Sequence, residues 1–324
     1  MRSRKSRDSD IDDLIDALTA ANRLGKLREK PRTEQQATFR SKYGRQLLVA
    51  MIEVTTNERF VHRVESECRE LAGVGGYLYA VAAVATQFRA GLTYQELLTA
   101  AGGDAAELLA DVQRLLSRHL LVHDRNGLVT LRHRVIAERA VYFYQSTGQL
   151  AEALTGLMFS LASNAQPGAL RSSRQGRLLI RLISHELLIR MLRAPRSETV
   201  DHSAVRQAYE ELEGVLGTDY HYWLQRGSFE TEEGDLDLAK NFIEQSRAIN
   251  PDDRIVDTAW AYMTLKRASR RAMDVDAAGQ ADEAFEVLTA VIEARGRRDP
   301  YPFHVYGSQG LAWLKRSPLA RIVQ

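Results

Sequence analysis

Arg132-His133-Arg134 sets an arginine on either side of a histidine. Two forked guanidinium donors flank an imidazole that titrates near neutrality, a set suited to a diphosphate. A partly buried histidine at a strand–helix junction is an equal reading of His133. The second grouping is a run of arginines at 171, 174, 177, 181, 190, 193 and 196, opposed by Glu186 alone. Leu178, Leu179, Leu182, Ile183, Ile189 and Leu192 add an apolar stripe at helical spacing. With Arg177 and Arg181 as its named candidates, this run reads either as a docking face for an acidic partner, nucleic acid or a membrane surface, or as the solvated basic face of a repeat helix.

Other chemistry is poorly served. Histidines stand at 62, 119, 123, 133, 185, 202, 221 and 304, with no H-E-x-x-H and no cysteine beside them, so no metal site is expected. His119 and His123 are four residues apart, but a helix end falls between them. No nucleophile elbow, no credible Ser-His-Asp order and no G-x-x-x-x-G-K-[ST] phosphate loop occurs. Glu53 and Glu58 read as helix-surface residues. We expect no enzyme, no catalytic residue and no cofactor held by this chain alone.

The chain has 324 residues, 44% hydrophobic and 27% charged, with a net charge of +2. That length suits roughly two or three domains of ~100–200 residues, and the charge balance is not that of a nucleic-acid binder as a whole. The single cysteine, Cys68, cannot form an internal disulfide and reads as a buried inert thiol. The charged start MRSRKSRDSD is no signal peptide, and the longest apolar run, residues 77–85, is too short to span a membrane. A cytoplasmic location is expected, with no membrane partner.

These residues need elements to position them. Residues 1–10 read as a disordered basic tail and 11–73 as a helical segment, with Asp10 capping a first helix and further helices over about 33–54 and 57–72. The spacing in 74–148 predicts a helix near 76–89, a short helix in TYQELLTAAG, and a helix at 105–119 capped by Asp104. Two β-like runs follow at 120–124 and 128–132, joined through Arg125-Asn126-Gly127, and then a helix at 133–146. Helix, helix, helix, hairpin is the winged-helix order. Its third helix would face DNA with Glu107, Asp111 and Gln113, a poor electrostatic match to phosphate. From 149 the pattern is helical throughout, with helices at 149–163, 171–193 and 203–215.

Trp223, Gly227, Gly234, Ala239 and Pro251 then fall at the fourth, eighth, fifteenth, twentieth and thirty-second places of a 34-residue unit, and the spacing resembles a tetratricopeptide repeat. Gly227 and Ala239 would sit where two helices cross closely, Gly234 at the turn, and Pro251 at the end of the second helix. Glu230 stands where the family carries a bulky aromatic. A second unit has its B helix at 282–300 after an insertion near 270–280, and 301–315 reads as a further A helix. The array, 149–324, stops soon after Trp313 without a polar capping helix, so a truncated array is expected. Tyr222, Gln225, Glu230, Tyr262 and Lys266 are the candidates for its concave, partner-binding face.

The order of helical segment, winged helix and repeats resembles the C-terminal half of bacterial STAND ATPases (signal-transduction ATPases with numerous domains). The resemblance rests on YGRQLLVAMIEVTTNERF at 43–60, LLSRHLLVHDRNGLVTLRHRVIAERAV at 115–141 and the repeats behind them. It implies a mainly α chain acting as a non-enzymatic regulatory or sensor module in signalling or antiphage defence, without the phosphate-loop core. In that family the end of the winged-helix domain carries a Met-His-Asp-like triplet whose His contacts the nucleotide β-phosphate in the resting state. His133 matches it and Arg132 and Arg134 depart from it, so the three would contact ADP or ATP only if another segment supplied the nucleotide-binding core. The expected partner is a protein on the repeat surface, with self-association left open. The alternative is a winged-helix transcription regulator that binds DNA.

Overall fold

The computed structural model describes residues 8–41, 49, 51, 53, 59–165, 171–193, 202–271, 274–295 and 299–315. The fold is mainly α, with sixteen α-helices and one two-stranded antiparallel sheet among the described residues. Helices α1 (Asp8–Ala20) and α2 (Arg32–Ser41) enclose a small core of Ile11, Ile15, Leu18, Leu24, Leu27 and Phe39. Arg32 of α2 reaches back to Asp12 and Asp16 of α1, at 3.2 and 2.6 Å. Helix α1 includes Asp8 to Asp10, inside the stretch read as a disordered tail; residues 1–7 lie outside the described residues. Of the helix expected over 33–54, residues 42–48, 50, 52 and 54 also lie outside them.

The middle of the chain has the winged-helix order. Helices α3 (Phe60–Glu70), α4 (Gly73–Gln87), α5 (Tyr94–Ala101) and α6 (Ala105–Ser117) precede strands β1 (Leu121–His123) and β2 (Val129–Leu131), and α7 (Arg134–Ser146) closes the unit. Helix α4 is apolar on nearly all sides and every residue from Leu78 to Thr86 is buried, as a helix with no polar face must be. Thr93 and Glu96 form a reciprocal capping box that starts α5, and the Asp104 side chain caps α6. The hairpin pairs Leu121 with Leu131 and His123 with Val129. Asp124 Oδ1 accepts from the Asn126 and Leu128 amides, and Gly127 takes φ +75° at the turn. Leu92 adds a bridge to Val129.

Behind it stand α8 (Leu150–Ser163), α9 (Arg174–Leu182), α10 (His185–Leu192) and α11 (His202–Leu216). The single helix expected over 171–193 is broken at Ile183-Ser184. The break is held open from elsewhere: Tyr209 Oη donates to the Ile183 carbonyl at 2.8 Å, and Gln225 Oε1 accepts from the His185 amide at 3.1 Å. Both backbone groups freed by the interruption therefore keep partners. One apolar core runs without interruption from Phe60 to Phe229, so α8–α12 are packed onto the winged-helix unit.

Helices α12 (Tyr220–Glu233) and α13 (Leu236–Ile249) form the hairpin anticipated from the repeat spacing. A Cβ on Gly227 would lie 2.5 Å from Ile243 Cγ1 and 3.3 Å from the Ala239 carbonyl oxygen, which accounts for the two small residues. Asn250 and Pro251 end α13. Helices α14 (Arg254–Arg270) and α15 (Val275–Arg295) make a second hairpin, and α16 (Tyr301–Leu314) packs on both. The insertion expected near 270–280 is largely a helical extension: Asp274 Oδ1 accepts from the Ala277 amide at 2.7 Å and starts α15 before the apolar pattern does. Helices α10, α12, α14 and α16 are neighbours in series and form one layer of the array.

Candidate functional site

The layer of α10, α12, α14 and α16 presents a cluster from three successive helices. Lys266 Nζ of α14 lies 3.2 Å from Glu232 Oε2 of α12 and 5.5 Å from the centre of the Tyr262 ring. Tyr262 is half-buried; burial first, and then the Glu232 carboxylate beside it, push its phenol well above the ordinary range. Tyr301, at the start of α16 and half-exposed, is shifted in the same direction by burial and by Glu232 and Glu186. Both phenols are therefore neutral donors at physiological pH. Ile255, at the start of α14, is 56% exposed on the same array. The cluster thus offers two phenols and an ion pair at the surface, a set able to hydrogen-bond and stack against an extended peptide.

Only part of the partner face read from sequence lies here. Tyr262 and Lys266 do. Tyr222 and Glu230 are not on the surface. Tyr222 is fully buried, donates to the Tyr209 carbonyl at 2.7 Å and packs edge-on against the Tyr209 ring. Glu230 is 1% exposed and takes a two-pronged bond from Arg206 of α11, at 2.7 and 2.8 Å. The carboxylate in the aromatic place of the repeat is thus an ionic lock between α11 and α12. Gln225 is committed to His185 of α10. Helix α12 is enclosed on most sides, so an outward stripe could not be chosen by polarity alone. The 34-residue period could have found it: Tyr262 and Lys266 stand one period after Ser228 and Glu232.

The Arg132-His133-Arg134 group is occupied within the chain. Arg132 makes a bidentate pair with the buried Glu67 of α3, 2.7 Å to each oxygen. Arg134 pairs with Glu138 one turn on, at 2.8 Å. His133 is the N-cap of α7, and its Nδ1 accepts from the Val135 amide at 3.1 Å. Only the neutral imidazole can accept there. Burial lowers the His133 pKa, against the opposing pull of Glu138. Each of the three side chains thus has a partner within the chain.

On the basic run, Arg174 is drawn inward to Glu96, whereas Arg177 and Arg181 are exposed and Arg181 lies 4.4 Å above the Phe88 ring. The acidic character of α6 is as read: Asp104 and Glu107 are exposed, Arg114 pairs with Asp111, and Arg118 lies 3.4 Å from Glu70. A cavity of about 730 Å³ between α3, α4, α7 and α8, bordered by Cys68, Arg69, Gly73, Phe143 and Tyr144, had no contiguous signal, since it draws on four segments. The Cys68 thiol beside it is 2% exposed, and burial pushes its pKa up to about 12.

Among the described residues no group of three or more His, Cys, Asp or Glu side chains is placed to hold a metal ion, and no helix is long and apolar enough to cross a membrane. Comparison with protein-family models, curated proteins and solved structures finds no match to this chain.

Proposed function

We propose that the chain is a recognition module without chemistry of its own, which holds a segment of a protein partner along the layer formed by α10, α12, α14 and α16. The observation that carries this reading is the cluster of Glu232, Tyr262, Lys266 and Tyr301, contributed by three neighbouring helices of one layer, while Arg226 and Glu230 of α12 are buried in ion pairs. A relay is supported by packing in two steps: α14–α16 share one apolar cluster with α13, and α12, paired with α13, belongs to the core of the winged-helix unit. A cytoplasmic sensor in a STAND-type signalling or defence system, its nucleotide core supplied by another segment, is the setting we infer. A phosphate contact from Arg132 would compete with its pair to Glu67, and one from Arg134 with its pair to Glu138.

Site-specific photo-crosslinking tests the face. A benzoylphenylalanine at position 262 or 301, in cells that produce the protein, should trap a discrete protein adduct that Lys266→Glu abolishes. The same probe at Glu283 of α15 should trap none. Adducts of equal yield at all three positions, or none at 262 and 301, would remove the face from consideration.

A further inference from the structure

The arginines between 171 and 193 divide into one that builds the fold and five that do not. Arg174 is taken up by Glu96 and the Gly91 carbonyl. Arg171, Arg177, Arg181, Arg190 and Arg193 are exposed, and none of the five pairs with a carboxylate among the described residues. Glu186 is the one acid in that stretch.

The fold gathers them with others. Arg181 stacks on Phe88 at the end of α4, while Gln87, one residue earlier, reaches the Met191 sulfur of α10 at 4.0 Å. The exposed Arg89 follows directly, so the ends of α4, α9 and α10 bring Arg89, Arg181 and Arg190 to one region. The bond from Arg174 to Gly91, which packs against Leu128 and Thr130, sets the start of α9 beside the hairpin whose tip carries the exposed Arg125. Aromatic rings accompany the charge. Arg171 lies 4.9 Å above Tyr220, and at the hairpin Tyr94 Oη meets His123 Nε2 at 2.9 Å with their rings 5.9 Å apart.

We propose that this surface binds single-stranded nucleic acid through its phosphates. Guanidinium forks match phosphate oxygens, and a guanidinium already held over a ring loses little freedom when it binds. Rings among the arginines supply stacking for bases, which an acidic peptide would not use. The arginines come from several segments at irregular spacing, which a flexible strand can follow. The acidic first turn of α6 opposes the usual docking of a winged helix into a duplex groove.

The test is fluorescence anisotropy of the full chain with labelled oligo(dT) and oligo(U) of about 20 nucleotides, a matched duplex, and poly-glutamate. Neutralising about five phosphates gives a log–log salt slope near −3.5, so affinity should fall about 100-fold between roughly 50 and 200 mM KCl. Arg177→Glu/Arg190→Glu should weaken single-strand binding by at least about tenfold, since it removes two phosphate contacts and adds two repulsions. The milder Arg177→Gln/Arg190→Gln, whose fold is checked by circular dichroism, should flatten the slope by about 1.4. No binding at low salt, binding indifferent to either variant, preference for the duplex, or capture of poly-glutamate but not oligonucleotide would each overturn the proposal.

Discussion

Arg174 and Glu96 are 78 residues apart and bond through both carboxylate oxygens, at 2.6 and 2.8 Å. The same carboxylate accepts from the Thr93 amide at 2.7 Å and so completes the capping box of α5. One buried acid therefore starts a helix of the winged-helix unit and fastens α9 to it. Removing one member of a buried pair leaves a charge without compensation, which costs about 3–5 kcal/mol for fully buried pairs. Arg174 retains 28% side-chain exposure, so we expect about 2–3 kcal/mol for Arg174→Ala, read as a lower urea midpoint at unchanged m. Arg174→Met with Glu96→Gln should recover much of the loss, because the uncompensated charge is then gone.

Gly234 and Glu230 are coupled in a similar way. A Cβ at 234 would collide with Glu230 Oε2, the oxygen that also accepts from the Asp235 amide and from Arg206. Gly234→Ala should therefore displace the carboxylate from Arg206 and destabilise the protein by about 1–3 kcal/mol. The loss should shrink in an Arg206→Ala background, since the lock it breaks is already absent. A double-mutant cycle of urea midpoints would show this, and strict additivity would mean the glycine serves only the turn.

His133 makes the stability of α7 depend on pH. Its ring is neutral when it accepts from Val135, and its pKa in the folded protein lies below the ordinary 6.5. The unfolded chain therefore binds more protons at this site than the folded one as the pH drops. The cap's contribution is present above the unfolded value of about 6.5 and is lost as the pH falls from there through the lower folded value. His133→Asn keeps a capping acceptor that does not titrate. Its stability profile should be flatter than wild type between about pH 7 and 5. His221, whose pKa is also lowered by burial, titrates in both proteins and cancels in the difference.

Much of the fold was legible where a signal is local or periodic. Asp104 before an apolar stripe, Gly127 between two β-like runs, and Gly227, Ala239 and Pro251 at repeat spacing each predict the element observed, because each satisfies a backbone or steric requirement within its own segment. The rest depends on residues far away in sequence. Ser184 breaks a helix only because Tyr209 and Gln225 arrive to bond the freed groups. Glu230 reads as a surface acid until Arg206 is placed against it. The candidate face was half legible: Tyr262 and Lys266 were identifiable as a polar stripe, but Tyr222 could not be told from a surface tyrosine without Tyr209 above it.

Cys68 offers a check on the packing of α3 against α7 that needs no partner. Its thiol borders a cavity of about 730 Å³, which invites the view that reagents reach it. Two properties argue otherwise. The residue is 2% exposed, and burial raises its pKa to about 12, with the neighbouring Glu67 and Glu65 adding to the rise. At pH 8 the fraction of thiolate is then about 10⁻⁴, against roughly a quarter for an unperturbed thiol of pKa near 8.5. Modification by a disulfide reagent should therefore be slower than that of a free thiol by at least about three orders of magnitude in the native protein. It should become complete in urea, with one equivalent per chain. Rapid native labelling would mean that the α3–α7 contact opens on the timescale of the assay, and the rate at saturating reagent would then measure that opening directly.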